Sequence, residues 1–580
     1  MTGPGALFRR MSLPALGEPQ RFLLLSILIG LFSGLLVVCF HVAIASLSWA
    51  ALGTGPDRGI LRTLLSPMLG AVAATLLVLF FFRMAAGSGV NNTKAAIYIS
   101  DGYIPFSAVT GKFLACSISI GSGNSLGPED PALQIGSGIA SLLGRIFRLT
   151  RESMRLIAPV GAAAGIAAAF NTPITGVLFV MEQVVASWRA GVLGSILLSA
   201  VSAVVVSRFF LGDQPLFEVP GFELTHPSEL LVYAGMGIAG GLLAVLFMKT
   251  VALLREKTHH LPRWARYARP GAAGLMVGVA GIWLPEVMGA GYGAIDSALH
   301  DQLLWPRLLV LGFVKMLVTL LCFSAGIPGG MFAPALFIGA MIGGGIGALA
   351  HLYWPFPTSA ASAYVLVGMG TFFAGVFRAP MTSIFMVFEV SASYVIILPV
   401  MISNTIAYLI SRSLAPLSFF DMIARHEGVD LPSLEEHREK RDVRVEDAMR
   451  IAAGTALTAQ TLVSSAIEQL RAVGRDRTLV SRGNGMWSTV SLDELTRAAL
   501  DGKGANRLGQ VVPFDLVPRL YPDMAVDTAM KILARHRMLP VTSRANPDAL
   551  LGTVTLDDIL RSYGHRIKPE SGGPDTPSQR

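Results

Sequence analysis

The sequence predicts an all-α polytopic membrane protein built from two related halves, followed by a small α/β domain of two half-repeats. Three observations carry this. Long apolar runs fill the first three quarters of the 580-residue chain, which is 52% hydrophobic and only 14% charged. Soluble globular proteins average about 25% charged residues, so much of this surface must face something other than water. An internal repeat recurs with its register kept, and the composition becomes ordinary and soluble after Arg425.

Residues 1–21 carry Arg9 and Arg10 and read as a cytosolic N-terminal segment under the positive-inside bias. The apolar run that follows is too long for a signal-peptide core, so it reads as a retained membrane helix. Runs at 22–50, 64–86, 191–211, 228–254, 306–323 and 396–411 are long enough to cross a bilayer core of roughly 30 Å. Runs at 131–143, 173–181 and 331–342 are shorter, and predict partial or steeply tilted helices packed against protein. The membrane domain is assigned to 22–425, with halves at about 22–215 and 228–425. A charged linker, 426–442, leads to the α/β domain at 443–565, and a polar tail, 566–580, reads as disordered. Within 443–565 each half reads helix, strand, strand, helix. The first runs from Val445 to Leu495 and the second from Met524 to Leu560.

The repeat itself is specific. Gly127-Pro-Glu-Asp-Pro-Ala-Leu-Gln-Ile-Gly136 recurs as Gly330-Met-Phe-Ala-Pro-Ala-Leu-Phe-Ile-Gly339. A second echo pairs Gly161 to Glu182 with Gly368 to Glu389, ending on the same residue type at the same spacing. Duplicated halves with Gly/Pro breaks at matching places point to a transport site made of interrupted helices. Three segments share one design, glycines followed by a helix start: Gly87-Ser-Gly-Val90, Gly127-Pro-Glu-Asp-Pro131 and Gly330-Met-Phe-Ala-Pro334. Glycine admits close approach of the backbone, and Pro suits the first helical turn. Free N–H groups and the helix dipole then make each start an anion-binding surface without a buried Lys or Arg. The first copy carries Glu129 where the second has Phe332.

These segments resemble the CLC chloride channels and proton/chloride exchangers. Gly87-Ser-Gly-Val90 is similar to that family's GSGIP, residues 127–131 to its G(K/R)EGP, and residues 330–334 to its GxFxP. The AAAFNTPITGVLFVMEQ and FRAPMTSIFMVFE segments also match, and 443–565 resembles a CBS-domain pair. The likeness covers about 22–565. It implies two inverted repeats and a homodimer with a pore in each subunit, set in a bacterial inner membrane with both termini cytosolic. Residue by residue, it implies that Ser88 contacts the anion through its hydroxyl, with Gly89 and Val90 beside it. Backbone N–H groups of Met331 and Phe332 would complete the site, and Glu129 would be the gate. Ser88 stands where Pro accompanies nitrate preference and Met fluoride, so chloride is the implied ion.

Four departures qualify the resemblance. Asn91 replaces the family's Pro, and Asp130 replaces a Gly. Asp130 reads either as a helix-start residue or as a like charge that raises the proton affinity of Glu129. On the proton path, the inner acidic residue after Glu182 is Gln183, which cannot relay a proton. The inner tyrosine aligns with Phe420, or with Phe419 by a one-residue shift. Together these favour channel-like or weakly proton-coupled chloride movement, with proton/chloride antiport as the alternative.

Blander readings stand beside these. Glu129 could merely cap a helix, Ser88 could be a turn residue, and Glu182 and Glu389 could bond backbone at helix ends. Lys112 reads as raising the local positive potential or as snorkelling to an interface. Thr555 and Asp558 resemble the Thr-x-x-Asp with which CBS modules hold a ribose, so an adenine nucleotide is possible there; a plain dimerisation module is the simpler reading. No cofactor is required. Nucleic-acid binding fails despite the net charge of +8, because no basic stripe is interleaved with aromatics on a soluble fold. Cys39, Cys116 and Cys322 lack metal or disulfide spacing, Gly121 to Gly127 lacks the Lys-Ser/Thr of a phosphate loop, and the scattered histidines form no catalytic motif. An enzyme is not expected. An unrelated secondary transporter for cations would want carboxylates or carbonyls, whereas these helix starts offer donors.

Overall fold

The computed structural model describes residues 18–53, 59–185, 190–213, 216–217, 219, 224–259, 262, 265–429, 444–451, 457–474, 476–512, 515–544 and 546–562. The expectations for 1–17, most of 426–442 and 566–580 lie outside these residues. The chain divides into two compact units, 1–431 and 432–580.

The larger unit is helical throughout. Its first half contains α1 (Glu18–Leu52), α2 (Ile60–Phe80), α3 (Gly89–Tyr98), α4 (Phe106–Gly121), α5 (Glu129–Ile146), α6 (Arg151–Phe170), α7 (Pro173–Phe179) and α8 (Ala190–Leu211). Its second contains α9 (Glu229–His259), α10 (Ala265–Trp283), α11 (Tyr292–Leu299), α12 (Trp305–Ser324), α13 (Phe332–Tyr353), α14 (Ala361–Phe377), α15 (Pro380–Ser391), α16 (Ile397–Leu414) and α17 (Phe419–His426). The halves match helix for helix, α1 with α9 through α8 with α16. Among the described residues, eight helices are long and apolar enough to cross a membrane.

The recurring motif glycines have a packing reason. A Cβ built on Gly136 would lie 2.2 Å from the Gly161 carbonyl oxygen, and one on Gly339 would lie 2.3 Å from that of Gly368. The α5/α6 and α13/α14 crossings are therefore backbone-to-backbone in both halves, the close approach that small residues allow between membrane helices. The same effect corrects one expectation. The run 331–342 looked too short to span, yet α13 continues to Tyr353 through Gly343, Gly344, Gly345 and Gly347. Glycine is a poor helix former in isolation, but Gly343 sits against the Tyr364 carbonyl and Gly347 against the Tyr364 ring, so packing holds the helix. The run 64–86 is broken instead. Helix α2 stops at Phe80, a single 3₁₀ turn follows at Arg83–Ala85, and the chain then delivers Gly87 and Ser88 to α3.

The smaller unit has two three-stranded sheets. β1 (Arg450–Ile451), β6 (Leu550–Thr555) and β5 (Met538–Thr542) form one, all antiparallel. β2 (Leu457–Thr458), β3 (Arg477–Gly483) and β4 (Met486–Ser491) form the other, with β2 parallel to β3. Helices Val463–Val473, Leu492–Ala498, Val526–Leu533 and Leu556–Ser562 complete two helix–strand–strand–helix units. The buried Trp487 lies in the core with Leu479, Leu539, Val541 and Ile559.

Candidate functional site

The two halves meet where their broken helices begin. Gly127 and Gly330 form an antiparallel bridge, each N–H donating to the other's carbonyl at 2.8 Å. Helices α5 and α13 both start two residues later, so Glu129 and Phe332 are brought side by side at equivalent places of the repeat. There is no room for side chains at the bridge: a Cβ on Gly127 would lie 2.5 Å from Oε2 of Glu129, and one on Gly330 would lie 2.9 Å from Cβ of Asp130.

Glu129 is fully buried. The hydroxyl of Tyr292, at the start of α11, donates to its Oε1, and the Ala333 N–H in the first turn of α13 donates to Oε2 at 3.3 Å. Both donors belong to helix starts of the second half. Met331 and Phe332 are buried beside it, but the backbone donor that reaches Glu129 is Ala333, one residue further on.

Asp130 points to the first half instead. Ser88 Oγ donates to its Oδ1 at 3.0 Å, the Gly89 N–H to Oδ2 at 2.8 Å, and the Val90 N–H to Oδ1 at 2.9 Å. Ser88, Gly89 and Val90 thus all donate to one carboxylate. Asn91 gives its amide to the Phe420 carbonyl at 3.0 Å, joining α3 to α17.

Phe420 and Phe332 belong to one aromatic cluster. Phe332 lies 5.0 Å from Phe179 and 4.8 Å from Phe377 between ring centroids, and Phe420 stacks on Phe377 at 5.4 Å. Such edge-to-face and stacked pairs hold a buried wall rigidly. Phe419 also touches Phe377, at 5.6 Å, so the cluster includes both candidates for the lost tyrosine. Lys94, buried on α3, has its Nζ 5.9 Å from the Phe420 ring and 3.6 Å from Oδ1 of Asp421.

Glu182 and Glu389 cap helices across the halves. Glu182 accepts from the Met381 N–H at 3.1 Å and the Thr382 N–H at 2.8 Å, and Glu389 from Ile174 and Thr175 at 2.9 and 2.7 Å. Each thereby satisfies the orphan donors of the other half's short helix. Gln183, beside Glu182 in a π-helical turn at Val180–Val185, gives its amide to the Arg378 carbonyl at 3.1 Å.

Lys112 does not snorkel. It is buried, with Nζ on the carbonyls of Ala85 and Gly87 at 3.1 and 2.6 Å. Lys315 repeats the arrangement on Val287 and Gly289 at 2.9 and 2.6 Å. In the smaller unit, Thr555 and Asp558 hydrogen-bond each other in a helix cap, the hydroxyl to Oδ2 at 2.6 Å. The Asp558 carboxylate also takes Arg450.

Tyr292, Ala333 and the seat of Asp130 escaped the sequence reading. Tyr292 was within reach: the offset that takes Gly127 to Gly330 also takes Gly89 to Tyr292 and Lys112 to Lys315. Among the described residues, no group of three or more His, Cys, Asp or Glu could hold a metal ion.

Two cavities approach the centre from repeat-related positions. One, of about 620 Å³, is lined by Gly87, Arg255, Arg269 and Ser324 to Gly329. The other, of about 670 Å³, is lined by Gly289, Gly291, Tyr292 and Met288.

A membrane-spanning inverted repeat whose broken helix starts converge on two buried carboxylates defines a polytopic anion transport protein. The chain belongs to the family described as Voltage gated chloride channel, which it matches over residues 69–412. It is 32% identical over 415 residues to a ClcB-like chloride channel protein of Ralstonia nicotianae, spanning 69% of this chain and 96% of that one. It is 31% identical over 413 residues to an H(+)/Cl(-) exchange transporter, ClcA, of Vibrio cholerae, spanning 68% of this chain and 87% of that one. A slow cyanobacterial Cl-/H+ antiporter shares the fold at a TM-score of 0.64 and 24% identity, over 71% of this chain and 98% of that one. A eukaryotic CLC transporter shares it at 0.61 and 20%, over 93% of this chain and 98% of that one.

Proposed function

We propose that this chain exchanges chloride for protons across a bacterial inner membrane, with Glu129 serving as both gate and proton acceptor. The observation that carries the reading is the seat of the Glu129 carboxylate, on the Tyr292 hydroxyl and the Ala333 N–H at helix starts of the second half. Those donors suit a small anion, and the carboxylate occupies them as a tethered substitute. Protonation removes its charge and its claim on the donors. The neutral side chain then leaves, and chloride takes the vacated seat. A return of the charged carboxylate expels chloride, so one group links the two ions.

Relatives named as exchange transporters favour antiport over the channel-like reading. Passive chloride conduction is the second reading, and Gln183 favours it, since its amide is committed to the Arg378 carbonyl and cannot carry a proton. The remaining assignments follow the same family logic: a homodimer with one pathway per subunit, both termini cytosolic, and a C-terminal CBS-type pair acting as a dimerisation module. Adenine nucleotide at Thr555 and Asp558 is the lesser proposal, because Asp558 already holds Arg450.

Vesicles loaded with chloride and diluted into chloride-free buffer test the choice. Chloride efflux that drives proton uptake against a gradient supports exchange. Efflux with no proton movement supports conduction, and no efflux overturns both.

A further inference from the structure

Resting on that reading of the central site, we propose that Asp130 is a second tethered anion, which fills the α3 half of the pathway and competes with chloride there. Ser88 is the N-cap of α3, with extended backbone (φ −75°, ψ 139°), yet its side chain accepts nothing from its own helix. A capping serine ordinarily accepts from an N–H two or three residues on. Here the hydroxyl is turned to donate, and it donates to Asp130 along with the Gly89 and Val90 N–H groups. One carboxylate therefore holds the three donors that an anion at this helix start would use. The helix starts are pressed together: a Cβ on Gly89 would lie 2.2 Å from the Asp130 carbonyl oxygen.

Nothing else claims the Asp130 charge. Among the described residues no Lys or Arg forms an ion pair with it, and the nearby Lys112 is spent on the carbonyls of Ala85 and Gly87. A buried carboxylate held only by neutral donors is poised for displacement by another anion of similar demand. Adjacent residues of one helix start thus serve opposite halves: Glu129 is bonded to Tyr292, which lines one cavity, and Asp130 to Ser88, the chain neighbour of Gly87, which lines the other. Chloride crossing from one cavity to the other meets a carboxylate at each step. A tethered competitor acts at an effective concentration of roughly millimolar or more, so it weakens the apparent affinity of the pathway for chloride.

The test titrates potassium chloride into purified full-length protein by calorimetry, with vesicle efflux measured in parallel. Asp130→Gly and Asp130→Asn should bind chloride at least tenfold more tightly than the parent, and the Ser88→Ala change made on Asp130→Gly should reverse much of the gain. Unchanged or weaker binding by whichever Asp130 variant keeps the parent's melting temperature overturns the proposal. So does bromide found on Ser88, Gly89 and Val90 in crystals of the parent with Asp130 still bonded to them. Parent vesicles that release no chloride overturn the underlying reading. Parent vesicles that do release it, with Asp130 variants indistinguishable in binding, overturn this inference alone.

Discussion

Glu182 of the first half and Thr382 of the second are joined as donor pair and cap, the Thr382 N–H at 2.8 Å and its hydroxyl at 2.6 Å from Oε2. Glu389 and Thr175 repeat the relationship in reverse, so each half closes the other's short helix. Glu182→Ala leaves the buried Thr382 N–H and the half-buried Met381 bond without an acceptor, at a cost of about 1–3 kcal/mol, whereas Glu389→Ala frees the exposed Ile174 N–H and costs less. Thermal unfolding in detergent should show the larger loss for Glu182→Ala, with the preference for chloride over other anions unchanged in the protein that survives.

The Glu129→Gln variant should carry chloride without regard to pH. Its amide cannot be charged, so lowering the pH no longer frees the site, whereas the parent's flux should rise as protons neutralise the carboxylate. Vesicle efflux at a series of pH values reads the difference. A parent-like pH profile in the variant would remove Glu129 from the gate.

Tyr292→Phe removes one of the two donors from the second half that hold Glu129. The ring still packs on Phe217, at 6.0 Å between centroids, so the fold should be kept. With its seat weakened, the gate should leave more often, and chloride flux at a fixed pH should rise several-fold. Flux equal to the parent's would show that the hydroxyl does not restrain the gate.

Gly136→Ala and Gly339→Ala should destabilise alike. Each new methyl would meet a facing carbonyl at 2.2 or 2.3 Å, which only a shift of the helix pair can relieve. Overpacking of this kind costs about 1–3 kcal/mol. Matching falls in melting temperature would verify that the α5/α6 and α13/α14 crossings are equivalent.

Acid should loosen one helix of the C-terminal unit. Glu494 accepts from the Ser491 N–H at 2.8 Å, and that bond holds its carboxyl below the usual range. The sign follows: a depressed folded value stabilises at neutral pH, and the contribution fades as pH falls through the carboxylate range. Glu494 is largely solvated, so the effect is small and local. The protection of residues 491–498 against hydrogen exchange, taken relative to the intrinsic rate at each pH, should fall on acidification in the parent and change less in Glu494→Gln.

How much of this was legible along the chain follows from the range of each interaction. Apolar runs, Gly/Pro breaks and the matched spacing of the repeat are local properties, and they were enough to foretell the broken helices, while the grouping of Ser88, Glu129 and Phe332 came from the family resemblance. The motif glycines were visible, but not that Gly136 and Gly161 exist to let two backbones touch. Pairings between distant residues were invisible. Nothing near Asp130 announces that its carboxylate caps a helix beginning 41 residues earlier with Gly89, and Tyr292 reaches Glu129 across 163 residues. Hydrophobicity and backbone preference are written residue by residue, so order along the chain displayed the helices and their interruptions. Which donor meets which carboxylate depends on two halves folding back around the Gly127–Gly330 bridge, and that geometry exists only once the helices have packed.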